Sequence, residues 1–126
     1  MEHNKKYFTP DEANRTLPLV RKIVKDILDY SFELKTISDS ISGDIKENKE
    51  AKYLISSIKS FMRELEEIGC HYKDWNFSIG LVDFPAIIDE EEVYLCWKTD
   101  EESIQYYHGI NEQTFRSGRR DFRRVK

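Results

Sequence analysis

The sequence predicts an α+β domain, mainly α: a long antiparallel helical hairpin, then a small C-terminal β-hairpin and a short helix. Three observations carry this. Apolar residues recur at alternating three- and four-residue spacing in two stretches before Gly69, the pattern of helices that bury one stripe. The composition then changes to short runs of aromatic and β-branched residues, which favour strands. A chain of 126 residues suits one domain with one modest core, so both parts must share it. The expected division is residues 1–69 for the helical hairpin and 70–126 for the β-hairpin, short helix and basic tail.

The first helix opens at Thr9-Pro10-Asp11-Glu12. Thr9 is a capping residue, Pro10 suits the first helical position, and Glu12 stands where a capping box needs its acid. Phe8 precedes the cap, where an apolar side chain pins the entry angle. Pro18 removes a helical hydrogen bond and clashes with the preceding turn, so the pattern predicts a short helix, a bend and a fresh start near Leu17. The seam then runs through Leu17, Val20, Val24, Ile27, Ser31 and Leu34, and slips in phase to Ile37 and Ile41. Such a slip re-twists a coiled coil without ending it.

Ser42-Gly43-Asp44 is expected to turn the chain, and Ile45 to Glu50 to approach the next helix loosely. A second seam follows at Ala51, Leu54, Ile58, Phe61, Leu65 and Ile68, and Gly69 stops it at a left-handed cap. Two helices with a short connection pack antiparallel. Beyond them, Gly80 to Ile88 and Val93 to Lys98 flank Asp89-Glu90-Glu91-Glu92 as a hairpin with an acidic tip. Pro85 lacks an amide proton, which argues for an edge strand or a bulge. Asp100 is expected to cap a short helix from Glu101 to about Tyr107, ended by His108-Gly109.

Composition narrows the function. The chain is 39% hydrophobic and 35% charged, with a net charge of −4. Residues 116–126 hold six basic side chains against Asp121, so residues 1–115 carry −9. An acidic body of this kind disfavours nucleic acid, whose phosphates need an extended basic surface. No apolar stretch approaches the roughly 20 residues of a membrane span, and the polar start lacks a secretory core. Two cysteines, Cys70 and Cys96, suit a reducing compartment and no disulfide framework. The expected location is the cytoplasm.

No phosphate-binding glycine loop, nucleophile elbow, paired CxxC or His-Glu-x-x-His helix is present. The chemistry must therefore come from scattered residues. Asp83 is a lone acid in Gly80-Leu81-Val82-Asp83-Phe84-Pro85-Ala86, and a buried carboxylate needs a partner; backbone amides at a bend or an arginine would serve as well as a catalytic role would. His108 is the best base or ligand in the chain, though a histidine ending a helix also gains from the dipole alone. His3 lies in the polar start. Cys70-His71 lacks the second ligand pair of a zinc site, so no metal is expected. Cys96 reads as a small buried residue, since as a nucleophile it needs His108 beside it. Lys98 ends its strand and reaches for water, while Trp97, Tyr94 and Tyr107 either line a pocket or pack on the sheet. Arg119, after Gly118, offers a fork for carboxylate or phosphate, or pairs with Asp83 or the acidic tip.

Several separated motifs occur in order: Tyr7-Phe8-Thr9-Pro10-Asp11-Glu12-Ala13-Asn14, Leu17-Pro18, Gly80 to Ala86, Val93-Tyr94-Leu95-Cys96-Trp97-Lys98, Tyr107-His108, and Phe115 with Gly118-Arg119. Together they resemble an uncharacterised prokaryotic family, domain of unknown function twenty-two oh-three. The resemblance spans nearly the whole chain, implies a small cytoplasmic protein, and brings no activity with it. Neither Cys70-His71 nor the ending after Arg120 belongs to it.

The leading expectation is a binding or interaction module, with Asp83, His108, Arg119, Trp97, Lys98 and Tyr107 forming a site for a small anion. In it, Arg119 and His108 face the anion and Asp83 orients Arg119. The alternatives are a small enzyme using His108 as acid–base, with Asp83 orienting it and Arg119 as clamp, and a structural protein that dimerises through its helix faces. No cofactor is specified by any motif.

Overall fold

The computed structural model describes residues 6–41, 43–73 and 79–110, with the backbone of residues 120–121. These form α1 (Pro10–Ser40), a 3-10 turn (Ile45–Glu47), α2 (Lys49–Ile68) and the strands β1 (His71–Tyr72), β2 (Leu81–Ile88), β3 (Glu91–Lys98), β4 (Tyr106–Gly109) and β5 (Arg120–Asp121). The strands make one antiparallel sheet in the order β1-β2-β3-β4-β5. The fold is the expected α+β arrangement, helical hairpin first and sheet second.

Helix α1 begins on a complete capping box. The Glu12 amide donates to Thr9 Oγ1 at 3.1 Å, and the Thr9 amide donates to Glu12 Oε1 at 3.0 Å. Phe8 does more than pin the entry. Its amide donates to Pro85 O at 2.8 Å, and its ring meets Phe84 edge-on at 5.2 Å. The start of α1 is thereby fastened to the middle of β2.

Pro18 lies inside α1 and does not divide it. The bend and restart expected near Leu17 are absent. The proline ring is exposed, while Leu17 and Val20 on either side are buried in the core. Their burial offsets the lost hydrogen bond, as tertiary packing commonly overrides local propensity. The phase slip at Ile37 does leave the helix continuous, to a C-cap at Ile41. Gly43 has a positive φ of 142° in the turn, Asn48 caps α2, and Gly69 ends it in the left-handed conformation.

The two helices cover one face of the sheet. Val20, Val24, Ile27, Ile58 and Leu65 share a core with Tyr72, Val82, Phe84, Ala86, Val93, Leu95 and Trp97. Residues alternate sides along a strand, so Asp83, Pro85, Tyr94, Cys96 and His108 project to the opposite face. β2 and β3 pair without a bulge from Leu81↔Lys98 to Ile88↔Glu91. Pro85 is therefore in neither a bulge nor an outer strand. It is tolerated because β1 pairs only as far as Asp83, leaving that side of Pro85 to the Phe8 amide. The hairpin turns at Asp89 and Glu90, both with positive φ (53° and 69°), the left-handed pair that suits the twist of a two-residue hairpin.

The helix expected from Glu101 to Tyr107 does not form. Residues 101–105 are an irregular connection, and Tyr106 enters β4. Its backbone groups are claimed from outside. Asn14 Nδ2 donates to Ile104 O at 3.2 Å, and Asn14 Oδ1 accepts from the Ile104 amide at 2.8 Å. Arg21 donates to Glu102 O, and the Trp97 indole to Glu101 O, both at 2.9 Å. A segment whose carbonyls and amides are bound by α1 and β3 has no reason to bond with itself. No helix among the described residues is long and apolar enough to cross a membrane.

Candidate functional site: a buried acid–histidine pair on the outer face of the sheet

Asp83 lies in β2 and His108 in β4, with β3 between them. Asp83 is opposite Cys96, and His108 is opposite Tyr94, two residues earlier on the same face of β3. The diagonal brings His108 Nε2 to 3.3 Å from Asp83 Oδ1. Both residues are almost fully buried, at 2% and 1% exposure. His108 is thus a strand residue of the sheet interior, and the helix-end role is replaced by pairing with an acid.

The ring's other nitrogen is also taken. Nδ1 lies 2.9 Å from Gly109 O, and a carbonyl can only accept, so Nδ1 carries a proton. One further proton sits between Nε2 and Asp83, giving either an imidazolium facing a carboxylate or a neutral ring facing a carboxylic acid. In both forms the two nitrogens are engaged by the protein, and no lone pair faces outward as a base. The Tyr94 ring lies 5.7 Å from the imidazole, tilted at 44°.

The register sorts the remaining residues expected at a site. Lys98 lies on the face of Asp83, half-buried, with its amide donating to Glu101 Oε1 at 3.0 Å. Trp97 and Tyr107 lie on the other face. Trp97 is fully buried in the core with Arg21 5.3 Å from its ring, and Tyr107 packs at the edge of the same cluster. Arg119 and Gly118 are outside the described residues, as are His3 and the basic ending from Phe122. Among the described residues Asp83 meets His108, and its expected pairing with Arg119 lies outside them.

Two residues that the sequence reading set aside are placed close to this pair. His71 in β1 stands directly opposite Asp83, and Cys96 stands opposite it on the other side. The signal was the short antiparallel run after Gly69, but a two-residue strand has too few residues for its pattern to be read. Both cysteines are buried and neither is in a disulfide. Burial pushes the Cys70 thiol up to about 12, so it is neither a nucleophile nor a ready metal ligand. Among the described residues, no three His, Cys, Asp or Glu side chains converge as a metal set.

Open space lies at the β1 edge of this face. A cavity of about 280 Å³ is lined by Met62, Glu66, His71, Tyr72, Lys73 and Tyr94. Lys73 Nζ stands 5.7 Å from the Tyr94 ring centroid, within the range of a cation–π contact. Tyr94 therefore touches the cavity on one side and His108 on the other.

Among the described residues these features define an α+β domain: two helices behind one antiparallel sheet, with a buried acid–histidine pair on the far face. The chain belongs to the family described as Uncharacterized conserved protein (DUF2203), whose model matches residues 6–121. Among curated proteins and solved structures, none matches it.

Proposed function

We infer that the protein is a small cytoplasmic binding module, and that its ligand is a compact anion held in the cavity at the β1 edge. The observation that supports this reading is a cavity whose Tyr94 wall packs beside His108 of the buried polar pair. Among the described residues Lys73 and His71 line it with one acid, Glu66, so an anion meets the Lys73 ammonium with an imidazole beside it. Behind them the buried Asp83–His108 contact holds the β2–β3–β4 face and, through Tyr94, one wall of the cavity. A wall fixed in advance lowers the ordering cost of binding. The engagement of both His108 nitrogens by Asp83 and Gly109 speaks against an acid–base enzyme and for a supporting role.

The test is thermal stabilisation by a panel of phosphate, sulfate, di- and tricarboxylates and nucleotides. At least one should raise the melting temperature of the intact chain, and Lys73→Glu should abolish the rise while leaving the unliganded melting temperature unchanged. Lys73 is exposed, so the substitution does not threaten the core. If no anion stabilises the protein, or if Lys73→Glu retains the full effect, the reading is wrong.

A further inference from the structure

The face of α1 that buries against the sheet continues past it. Ile27 is the last buried residue of α1, yet the helix runs on to Ser40. At about 3.6 residues per turn, Ser31, Leu34 and Ser38 project on the side of Val20 and Val24. On α2, Ile55 and Met62 continue the stripe of Ile58 in the same way. There the helices enclose an open groove of about 670 Å³, with Phe32, Leu34, Ile45, Ile55, Ile58 and Met62 in its lining. Phe32 at its rim is 72% exposed.

The charge along the groove is lopsided. On α1, Lys35 in the groove lining is matched by Asp39 one turn later at 3.4 Å, and Lys22 and Lys25, earlier on the helix and outside the lining, are matched by Asp26 and Asp29 at 2.7 Å. On α2, Lys52 and Lys59 have no acid three or four residues away in either direction. They lie with Lys46 and Arg63 around a second hollow of about 290 Å³, which adjoins the groove through Ile55 and Lys59 and, among the described residues, has no carboxylate in its lining. The chain as a whole is acidic, at −4, so this flank is not a consequence of general basicity.

We propose that this groove is a docking site for an acidic amphipathic α-helix of another protein. The helix lays its apolar stripe on Ile55, Ile58 and Met62 and its carboxylates along Lys52, Lys59 and Arg63, completing a three-helix layer. A second copy of this chain does not meet the charge requirement. The acid in the groove lining is Asp39, which Lys35 already holds, and a two-fold mate presents the same cationic flank again. Lys52 and Lys59 are two turns apart, about 10 Å, so the partner carries acids at heptad spacing with a further acid one turn beyond, opposite Arg63.

The probe is a labelled three-heptad peptide with leucine at the two seam positions and glutamate on one flank, compared with the same peptide carrying lysine on that flank. Fluorescence anisotropy with the full chain should show the glutamate peptide binding more tightly by about tenfold or more, with the difference shrinking in high salt. The triple variant Lys52→Glu/Lys59→Glu/Arg63→Glu should reverse the preference, and all three positions are exposed. Lys22→Glu/Lys25→Glu, on the neutralised side of α1, should leave it unchanged. Phe32→Ser should weaken the glutamate peptide without unfolding the chain. Equal binding of the two peptides, binding of neither, or a preference untouched by the triple variant would overturn the proposal. So would a doubled mass in light scattering that Phe32→Ser returns to the monomer, which would give the groove to a second copy.

Discussion

His108 Nε2 and Asp83 Oδ1 meet at 3.3 Å across the intervening strand β3, with both side chains out of water. The contact joins two strands that are not neighbours, so it ties the middle of the sheet to its far half. Breaking a buried pair by removing one partner costs about 3–5 kcal/mol, because the survivor keeps its desolvation penalty. Asp83→Leu should lower stability by that order. Asp83→Asn should cost much less at neutral pH, since its amide donates to Nε2 of a neutral ring while Nδ1 keeps Gly109. Urea unfolding of the two variants checks this; equal losses would mean that the pair's identity does not matter.

Pro18 is a standing cost in α1. Its exposed ring makes no core contact that an alanine would forfeit, and its missing amide leaves the Asn14 carbonyl without the helical bond. Pro18→Ala should raise stability by about 1–3 kcal/mol, read as a higher urea midpoint at unchanged m-value. A fall in stability would show that the proline ring contributes to the seating of α1.

Gly80 sits at a φ of 72°, and a Cβ there would come within 2.6 Å of Val24 and 2.8 Å of Thr99. Both neighbours are carbon atoms of short, stiff side chains. Gly80→Ala combines left-handed strain with overpacking and should cost roughly 2–4 kcal/mol. Gly43 offers a control: nothing lies within 4 Å of a Cβ added there, so Gly43→Ala pays the backbone strain without the clash. Thermal melts of the two variants separate the contributions.

The capping box gives a pH dependence of known sign. The hydrogen bond from the Thr9 backbone amide, helped by Lys6 and Arg15, holds the Glu12 carboxyl below its ordinary value of 4.5. An acid whose folded value is lowered adds stability that is complete above its unfolded value and lost as pH falls through the folded one. The box should therefore weaken only below about pH 4.5. Carbon-detected NMR titration of Glu12 should give a midpoint below that of the urea-unfolded chain. In Glu12→Gln this part of the acid-induced loss should vanish.

The helical half was legible because its information is local. Thr9, Pro10 and Glu12 announce a capped start, Gly69 a stop, and the seam from Ala51 to Ile68 a buried stripe; each signal is complete within a few residues. The same locality misled at Pro18, where propensity argued for a break and the burial of Leu17 and Val20 decided otherwise. It misled again at residues 101–107, where an acid-rich stretch resembled a capped helix. The choice there was made by Asn14 and Arg21, some eighty to ninety positions earlier, which bind its backbone.

Asp83 and His108 were each conspicuous in the sequence, as a lone acid in an apolar run and a histidine beside aromatics. That they touch directly stood only as one alternative, because strand pairing is a register, and one residue of slip sends a side chain to the opposite face. Trp97 and Tyr107, neighbours of the pair in sequence, went to the core for that reason, while His71 came to stand opposite Asp83. The sequence by itself determined the helices, the hairpin and the residues that demand a partner. The tertiary structure alone decided which partner each received, because alternation along a strand is local but the alignment of strands depends on the whole sheet and the helices behind it.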